Sequence, residues 1–160
     1  MPPKRKISML LEENDKKILR VLQRDGKISL QALADEVNMS TSPCWRRIKR
    51  LEEAGLIDRY AAILNPRLLG LHAQAYMHVS LLDHTEATIE AFDRFVQTED
   101  QITECCSITG SNDYMLKVVA EGPEELETFI MKRVLRLGIV RSSHTNFVLR
   151  RTKSSTALPV

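Results

Sequence analysis

The spacing of apolar residues in the first third of the chain predicts three short helices. Ile18, Leu19 and Leu22 would share the inner face of the first helix. This helix would run from about Glu12 to Arg24, because apolar residues recur at helical spacing there and a glycine follows.

Two further helices follow, with a tight turn between them. Ser29 is a suitable N-cap for the second helix. Asn38 then occupies the turn, where a positive φ is needed that Asn tolerates better than most residues. The third helix would begin at residues 41–43, since Pro43 suits a first helical turn, and Gly55 would stop it. Two helices joined in this way are typical of a helix-turn-helix.

Beyond residue 65 the pattern changes to one of alternating strands and helices. The predicted strands cover Gln74–Leu82, Ile102–Thr109, Tyr114–Ala120 and Ser143–Thr152, with helices at 89–96 and 123–137. Their order, β-α-β-β-α-β, is that of a ferredoxin-like sandwich. The predicted fold class is therefore α+β, with an N-terminal winged-type helix-turn-helix and a C-terminal ferredoxin-like domain. An extended segment from Leu56 to Leu64 would supply the wing.

These elements predict five segments in the 160 residues. They are a flexible basic tail (1–8), a DNA-binding domain (9–64), a linker (65–72), a ligand-sensing and dimerisation domain (73–153) and a C-terminal tail (154–160). The strands of the second domain carry apolar residues on both faces, for instance Leu116 on one and Met115 on the other. Helices would cover only one face, and a bare apolar face is usually buried by another subunit. We therefore expect a homodimer formed mainly by the C-terminal half.

The amino-acid composition is that of a globular protein without a membrane span or a disulfide framework. Hydrophobic residues make up 43% and charged residues 28%, as in an ordinary globular protein. No apolar run approaches the roughly 20 residues of a membrane span, and the N-terminal residues do not resemble a signal peptide. The odd number of cysteines, three, argues against a disulfide framework. The sequence thus predicts a cytoplasmic protein without a membrane partner.

Positive charge is concentrated in the N-terminal part. Residues 1–60 hold 13 Lys and Arg against 9 Asp and Glu, whereas residues 61–160 hold 10 against 12. On the third helix four basic residues precede the first acid, Glu52. They could be a solvated face, but the buried positions and the Asn38 turn favour a recognition helix in the major groove of double-stranded DNA. Trp45 is expected to pack in the core. The candidate contacts to phosphates or bases are Thr41, Ser42, Arg46, Arg47, Lys49 and Arg50.

The turn from Thr109 to Asp113 has two interpretations. Gly110 and Asn112 suit a hairpin turn with no further role. Alternatively, backbone N–H groups of the turn would hold a carboxylate and Asp113 would hold an ammonium group, which together would bind a free amino acid.

Signals of an enzyme are missing from the sequence. The four histidines lack metal-ligand spacing, and no nucleotide or hydrolase motif is present. Cys105 and Cys106 would point to opposite faces of a strand. We predict no catalytic activity, no metal and no cofactor.

The order of these parts resembles the leucine-responsive/asparagine regulator (Lrp/AsnC) family of bacterial and archaeal transcription factors. The residues that carry the resemblance are NDKKILRVLQRDGKISLQALADEVNMSTSPCWRRIKRLEEAGLIDRYAAILNP and ECCSITGSNDYMLKV. The final STALP resembles the ending of a branch whose members control amino-acid catabolism. The resemblance implies dimers that often assemble four at a time into an octamer, with small effectors, usually amino acids, between dimers. It adds Ser40 to the DNA contacts, and it implies effector contacts at Thr109, Gly110, Ser111, Asn112, Asp113, Thr145, Asn146 and Phe147.

The functional hypothesis is a sequence-specific transcriptional regulator of amino-acid metabolism genes. A branched-chain or other apolar amino acid would modulate its DNA binding or assembly. The alternative is an architectural protein that organises DNA without responding to an effector.

Overall fold

The chain forms two compact units. The computed structural model describes residues 11–160, so the expected basic tail at 1–8 lies outside the described residues. One unit contains the chain up to Ile63 together with Lys153–Val160, and the other contains Leu64–Thr152. The second unit is thus inserted in sequence between two parts of the first.

The N-terminal unit is built on three helices, α1 (Glu13–Leu22), α2 (Leu30–Glu36) and α3 (Thr41–Glu53). Ser29 caps α2 by accepting a hydrogen bond from the backbone of Ala32, as its position predicted. The helices enclose a small apolar core whose fully buried members are Ile18, Leu33, Ala34, Cys44 and Leu51.

The turn between α2 and α3 has the predicted conformation. Asn38 has φ = 56°, in the left-handed region. The turn is closed by a 2.8 Å hydrogen bond from the Met39 N–H to the Ala34 carbonyl oxygen. This geometry sets the angle at which α3 leaves α2, so the helix-turn-helix prediction is confirmed.

The predicted wing strand over Leu56–Leu64 was wrong. This segment is extended in part, but it pairs with no strand among residues 11–160. A strand needs a neighbour to satisfy its backbone groups, and the N-terminal unit supplies none. The side chains of Ile63 and Leu64 remain 76% and 66% exposed.

The C-terminal unit has the predicted β-α-β-β-α-β order. Its elements are β1 (Ala73–Leu81), α4 (Glu86–Thr98), β2 (Ile102–Ser107), β3 (Tyr114–Ala120), α5 (Pro123–Phe129) and β4 (Val140–Phe147). The strands form one antiparallel sheet in the order β2-β3-β1-β4. Its core lies between one sheet face and the two helices, around Met77, Phe92, Leu116 and Leu126.

The last strand begins and ends earlier than Ser143–Thr152, the predicted range. Gly138, with φ = 70°, turns the chain back so that pairing with β1 begins at Val140. Because the two strands are antiparallel, pairing stops near the beginning of β1, with a hydrogen bond of 2.9 Å from the Val148 N–H to the Gln74 carbonyl oxygen. The residues after Val148 have no strand to pair with and leave the sheet.

Among the described residues of the C-terminal unit, no helix covers the other sheet face. Cys106, Met115, His78 and His144 form one row across its four strands, while Cys105 packs against the core on the opposite face. The two thiols therefore point apart, as predicted. Within residues 11–160 no helix is long and apolar enough to cross a membrane.

Candidate DNA-binding surface and effector loop

The N-terminal half of α3 presents polar and aromatic side chains to solvent. Ser40, Ser42 and Arg46 are exposed, and Thr41 is half-buried. Trp45 is 50% exposed, so the expectation that it packs in the core was wrong. An exposed indole beside Arg46 adds an apolar and hydrogen-bonding group to the predicted recognition surface.

Two of the predicted DNA-contacting arginines form ion pairs with α1. Arg47 donates through Nη1 to Asp15 Oδ1 at 2.9 Å and through Nη2 to Glu12 Oε2 at 2.7 Å. Arg50 donates through Nη2 to Asp15 Oδ2 at 2.7 Å. The side chain of Arg47 is only 22% exposed, so most of it faces α1 and not solvent.

Asp15 is the centre of this network and is fully buried. It also accepts a 3.1 Å hydrogen bond from the Glu12 backbone N–H at the start of α1. Burial favours a raised pKa for this carboxyl, but the hydrogen bonds from Arg47 and Glu12 and the positive charges of both arginines outweigh burial and lower the pKa. Asp15 therefore stays ionised and joins α1 to α3. Asp15 was not predicted as a functional residue, because a single acid in an amphipathic helix carries no signal of a partner 32 residues away.

The remaining basic residues of α3 differ in whether another side chain already pairs with them. Lys49 pairs with Glu52 at 2.7 Å one turn further along the helix. Arg46 is exposed and makes no ion pair with any residue between 11 and 160. Of the predicted contacts on α3, Arg46 is thus the cation whose charge is least neutralised within the chain.

The second predicted site, the loop from Thr109 to Asp113, is held firmly against β1. Gly110 has φ = 121°, which a residue with a side chain rarely adopts. Asp113 accepts a 2.7 Å hydrogen bond from the Leu81 N–H and donates its own N–H to the Val79 carbonyl oxygen at 2.9 Å. His84 Nε2 lies 2.9 Å from the other carboxylate oxygen of Asp113.

These contacts change the role expected for Asp113. Its pKa is lowered, first by the hydrogen bond from the Leu81 backbone and then by the hydrogen bond from His84. Both carboxylate oxygens already have donors within the protein, so Asp113 fixes the loop in place. His84 was not predicted as a partner of Asp113, because a single exposed histidine after β1 belongs to no recognisable sequence motif.

The loop also leaves hydrogen-bond donors unused. Asn112 Nδ2 donates to Ser80 Oγ at 3.1 Å and adds a second anchor to β1. The four backbone N–H groups from Thr109 to Asn112 have no acceptor anywhere in residues 11–160. Consecutive free N–H groups on an anchored loop are suited to binding a carboxylate.

The three predicted effector contacts on β4 lie away from this loop in a single chain. The loop contacts β1 at Val79–Leu81, whereas Thr145, Asn146 and Phe147 pair with β1 residues from Met77 back to Ala75. The two sets of β1 residues are two to six positions apart, which is about 7 to 20 Å along the strand. The β4 residues at the same level of the sheet as the loop are Ser142 and Ser143, which pair with Ser80 and Val79 on the other side of β1.

Two clefts in the C-terminal unit also lie away from the loop. One is lined by acidic residues around Glu99 and Glu104, and the other contains Arg67, Arg150 and Arg151. In residues 11–160 no three His, Cys, Asp or Glu side chains come together as a metal site. Thr109, Gly110 and Ser111 line neither cleft and are exposed to solvent within residues 11–160.

A helix-turn-helix joined to an α/β domain with a four-stranded sheet is the architecture of a class of DNA-binding regulator, and comparison with known families agrees. Residues 11–58 match a winged helix-turn-helix DNA-binding family, and residues 74–158 match the Lrp/AsnC ligand binding domain. The chain belongs to the Lrp/AsnC family of transcriptional regulators.

Relatives of known name extend over almost the whole chain. The chain is similar to the transcriptional regulator AzlB of Bacillus subtilis, with 33% identity over 96% of this chain and 98% of AzlB. It is 33% identical to the leucine-responsive regulatory protein of Escherichia coli K12, over 94% of this chain and 92% of that protein.

Solved structures show the same fold. The L-Met complex of transcriptional regulator NMB0573 from Neisseria meningitidis matches with a TM-score of 0.90 and 34% identity, over 93% of this chain and 96% of that one. A feast or famine regulatory protein from M. tuberculosis, complexed with L-methionine, matches with a TM-score of 0.79 and 25% identity, over 92% and 98% of the two chains.

Proposed function

We propose that this chain is a sequence-specific transcriptional regulator whose DNA binding or assembly responds to an apolar amino acid. The observation that carries the proposal is the loop at Thr109–Asn112, whose unused N–H donors are held in place by Asp113 on the same chain as the exposed face of α3.

The DNA-binding part of the proposal assigns separate roles to the residues of α3. Arg46 and Trp45 reach base edges, and Ser40, Thr41 and Ser42 contact phosphates or bases. Lys49 contacts phosphate once its contact with Glu52 opens. Arg47 and Arg50 are held by Asp15, so they contact phosphate only through guanidinium N–H groups that Asp15 does not bind. Their main role is to orient α3.

The effector part rests on the chemistry of the loop. Free N–H groups between Thr109 and Asn112 hold the effector carboxylate. Since two related proteins have been solved with L-methionine, the effector proposed here is methionine or an apolar amino acid of similar size. The site is open on one chain, so a neighbouring subunit would complete it and would contribute the region of Thr145, Asn146 and Phe147.

The assembly part rests on apolar surface that this chain leaves uncovered. The open sheet face contains Tyr76 and Met115, and the segment joining the two units exposes Ile63, Leu64 and Leu68. A second copy covering these residues gives the homodimer, and four dimers would give an octamer with effector sites between dimers.

A gel-shift titration with the DNA upstream of the protein's own gene tests the proposal. We expect specific retardation that competitor DNA of unrelated sequence does not remove, and a change of at least threefold in DNA affinity when methionine or leucine is added. Calorimetry with the twenty amino acids identifies the ligand. Specific DNA binding with no amino-acid binding would instead support an architectural protein that organises DNA without an effector.

A further inference from the structure

The C-terminal segment Ser155–Val160 lies on the outer surface of α1. Although β4 precedes it in sequence, the segment belongs to the same compact unit as the helix-turn-helix. It contacts the last turn of α1, at residues 135 to 140 positions earlier in the chain. The segment thus returns the chain to the DNA-binding unit after the sheet is complete.

The contacts are those by which a protein surface binds an extended peptide. Gln23 Nε2 donates to the Leu158 carbonyl oxygen at 3.1 Å, and the Leu158 N–H donates to Gln23 Oε1 at 2.5 Å. One side-chain amide therefore satisfies both backbone groups of a single residue. Arg20 Nε donates to the Val160 carbonyl oxygen at 2.7 Å, three residues before Gln23 on the same helix face.

One side chain of the segment adds an apolar contact. Val160 is half-buried and packs against the core of the helix-turn-helix, whereas Leu158 is 72% exposed. Three hydrogen bonds from α1 side chains to backbone groups, and one half-buried side chain, make a specific but small contact. A contact of this size is near the balance between bound and released states, which is what a switchable element requires.

We propose that Ser155–Val160 is a docking peptide for α1 and forms a second connection between the ligand-binding and DNA-binding units. The first connection is the segment near Ile63 and Leu64. The second leaves β4 at Phe147 and reaches Lys153 through only five residues, Val148–Thr152.

The docked helix is also the one that holds the recognition helix in place. Arg20 and Gln23 lie on α1, as does Asp15, which binds Arg47 and Arg50 of α3. A shift of β4 on effector binding would therefore reach α3 through the docked peptide and α1. This regulatory role rests on the proposed effector response, whereas the docking itself does not.

Docking is tested by deleting residues 154–160 from the full chain and supplying them in trans. We expect the melting temperature of the helix-turn-helix unit to fall by about 4 °C or more. The synthetic peptide SSTALPV should bind to the deleted protein and restore its melting temperature. A peptide with Leu158→Pro and Val160→Asp, which lacks the N–H and the apolar side chain, should bind at least tenfold more weakly.

A matched pair of variants locates the receptor surface. Gln23→Ala in the deleted protein should abolish peptide binding, whereas Gln31→Ala, which removes an exposed amide on α2, should leave it unchanged. Equal melting temperatures with and without residues 154–160, together with no peptide binding, would overturn the docking proposal.

The regulatory role is measured separately by DNA titration with and without methionine. We expect the deleted protein and Gln23→Ala to bind DNA but to lose most of the change in affinity that methionine causes in the intact chain. A full response in the deleted protein would overturn the coupling. An intact chain that does not respond to any amino acid would instead contradict the proposed effector function, with the docking result unaffected.

Discussion

Asp15 shows how strongly the recognition helix depends on a single residue outside it. Its carboxylate is fully buried and binds two arginines of α3. Removing one member of a buried ion pair leaves an uncompensated charge and typically costs 3–5 kcal/mol, but Arg50 is partly exposed and Glu12 still pairs with Arg47.

Replacing Asp15→Asn should therefore lower the free energy of unfolding of the N-terminal unit by about 2 kcal/mol. Urea denaturation followed by circular dichroism measures the change. Asp58→Asn, an exposed position in the same unit, is the matched control and should change stability by less than about 0.5 kcal/mol. Equal stability of the two variants would mean that the network contributes little.

The lowered pKa of Asp15 also predicts a pH dependence. In the folded protein this carboxyl has a pKa below its ordinary value of 3.8, so the unfolded state binds the proton more readily. The stabilisation is fully present above that ordinary value and is lost as the pH falls towards the pKa of the folded state. Denaturation at a series of pH values below about 4 should show a steeper loss of stability for the native sequence than for Asp15→Asn. Parallel curves would contradict this assignment.

Asp113 and His84 allow a similar comparison at the loop. Asp113→Ala leaves the Leu81 N–H without its acceptor and should destabilise the C-terminal unit by about 1–2 kcal/mol. His84→Ala should have a much smaller effect, because the side chain of His84 is 63% exposed. Thermal unfolding of the two variants shows which substitution causes the larger loss of stability. A larger effect from His84→Ala would show that the ion pair, and not the backbone hydrogen bond, fixes the loop.

On the scale of elements, we expect neighbouring arginines of α3 to have different roles, Arg46 in DNA binding and Arg47 in the fold. Arg46→Ala should weaken specific DNA binding by about tenfold or more without changing the melting temperature, since Arg46 is exposed and unpaired in residues 11–160. Arg47→Ala should lower the melting temperature and, through the loss of its pairs with α1, also DNA affinity. Arg94→Ala, on the exposed face of α4, is the control for loss of charge.

Elements whose form depends on nearby residues were predictable from the sequence. The turn at Asn38, the cap at Ser29 and the order of strands and helices depend on residues a few positions apart. The wing at Leu56–Leu64 and the ends of β4 depend on whether a neighbouring strand is present. No local pattern encodes that, and the sequence predictions there were wrong.

The same distinction between local and distant residues applies to the candidate sites on α3 and on the loop. The exposed face of α3 and the loop around Gly110 follow from local patterns of charge and turn residues. The pairs between Asp15 and Arg47, and between Gln23 and Leu158, join residues far apart in sequence that are individually ordinary. Only the folded chain brings them together.

On the scale of the whole molecule, the uncovered sheet face predicts a subunit interface. Tyr76 lies on this face between Lys117 of β3 and Asn146 of β4. Tyr76→Glu would place a charge in the proposed interface and should convert the proposed dimer into monomers at micromolar concentration, as measured by sedimentation velocity. Ala87→Glu, on an exposed position of α4 behind the sheet, should leave the dimer intact. A Tyr76→Glu protein that remains dimeric would place the interface elsewhere.

The exposure of Trp45 provides a built-in optical probe of this protein. It is the single tryptophan of the chain, and half of its surface is open to solvent on the helix proposed to enter DNA. The fluorescence emission of Trp45 should shift in wavelength or be quenched when a base pair or phosphate takes the place of water beside the indole. The same signal from the native, unlabelled chain would follow DNA binding in real time and show whether an amino acid changes the rate of association or of release.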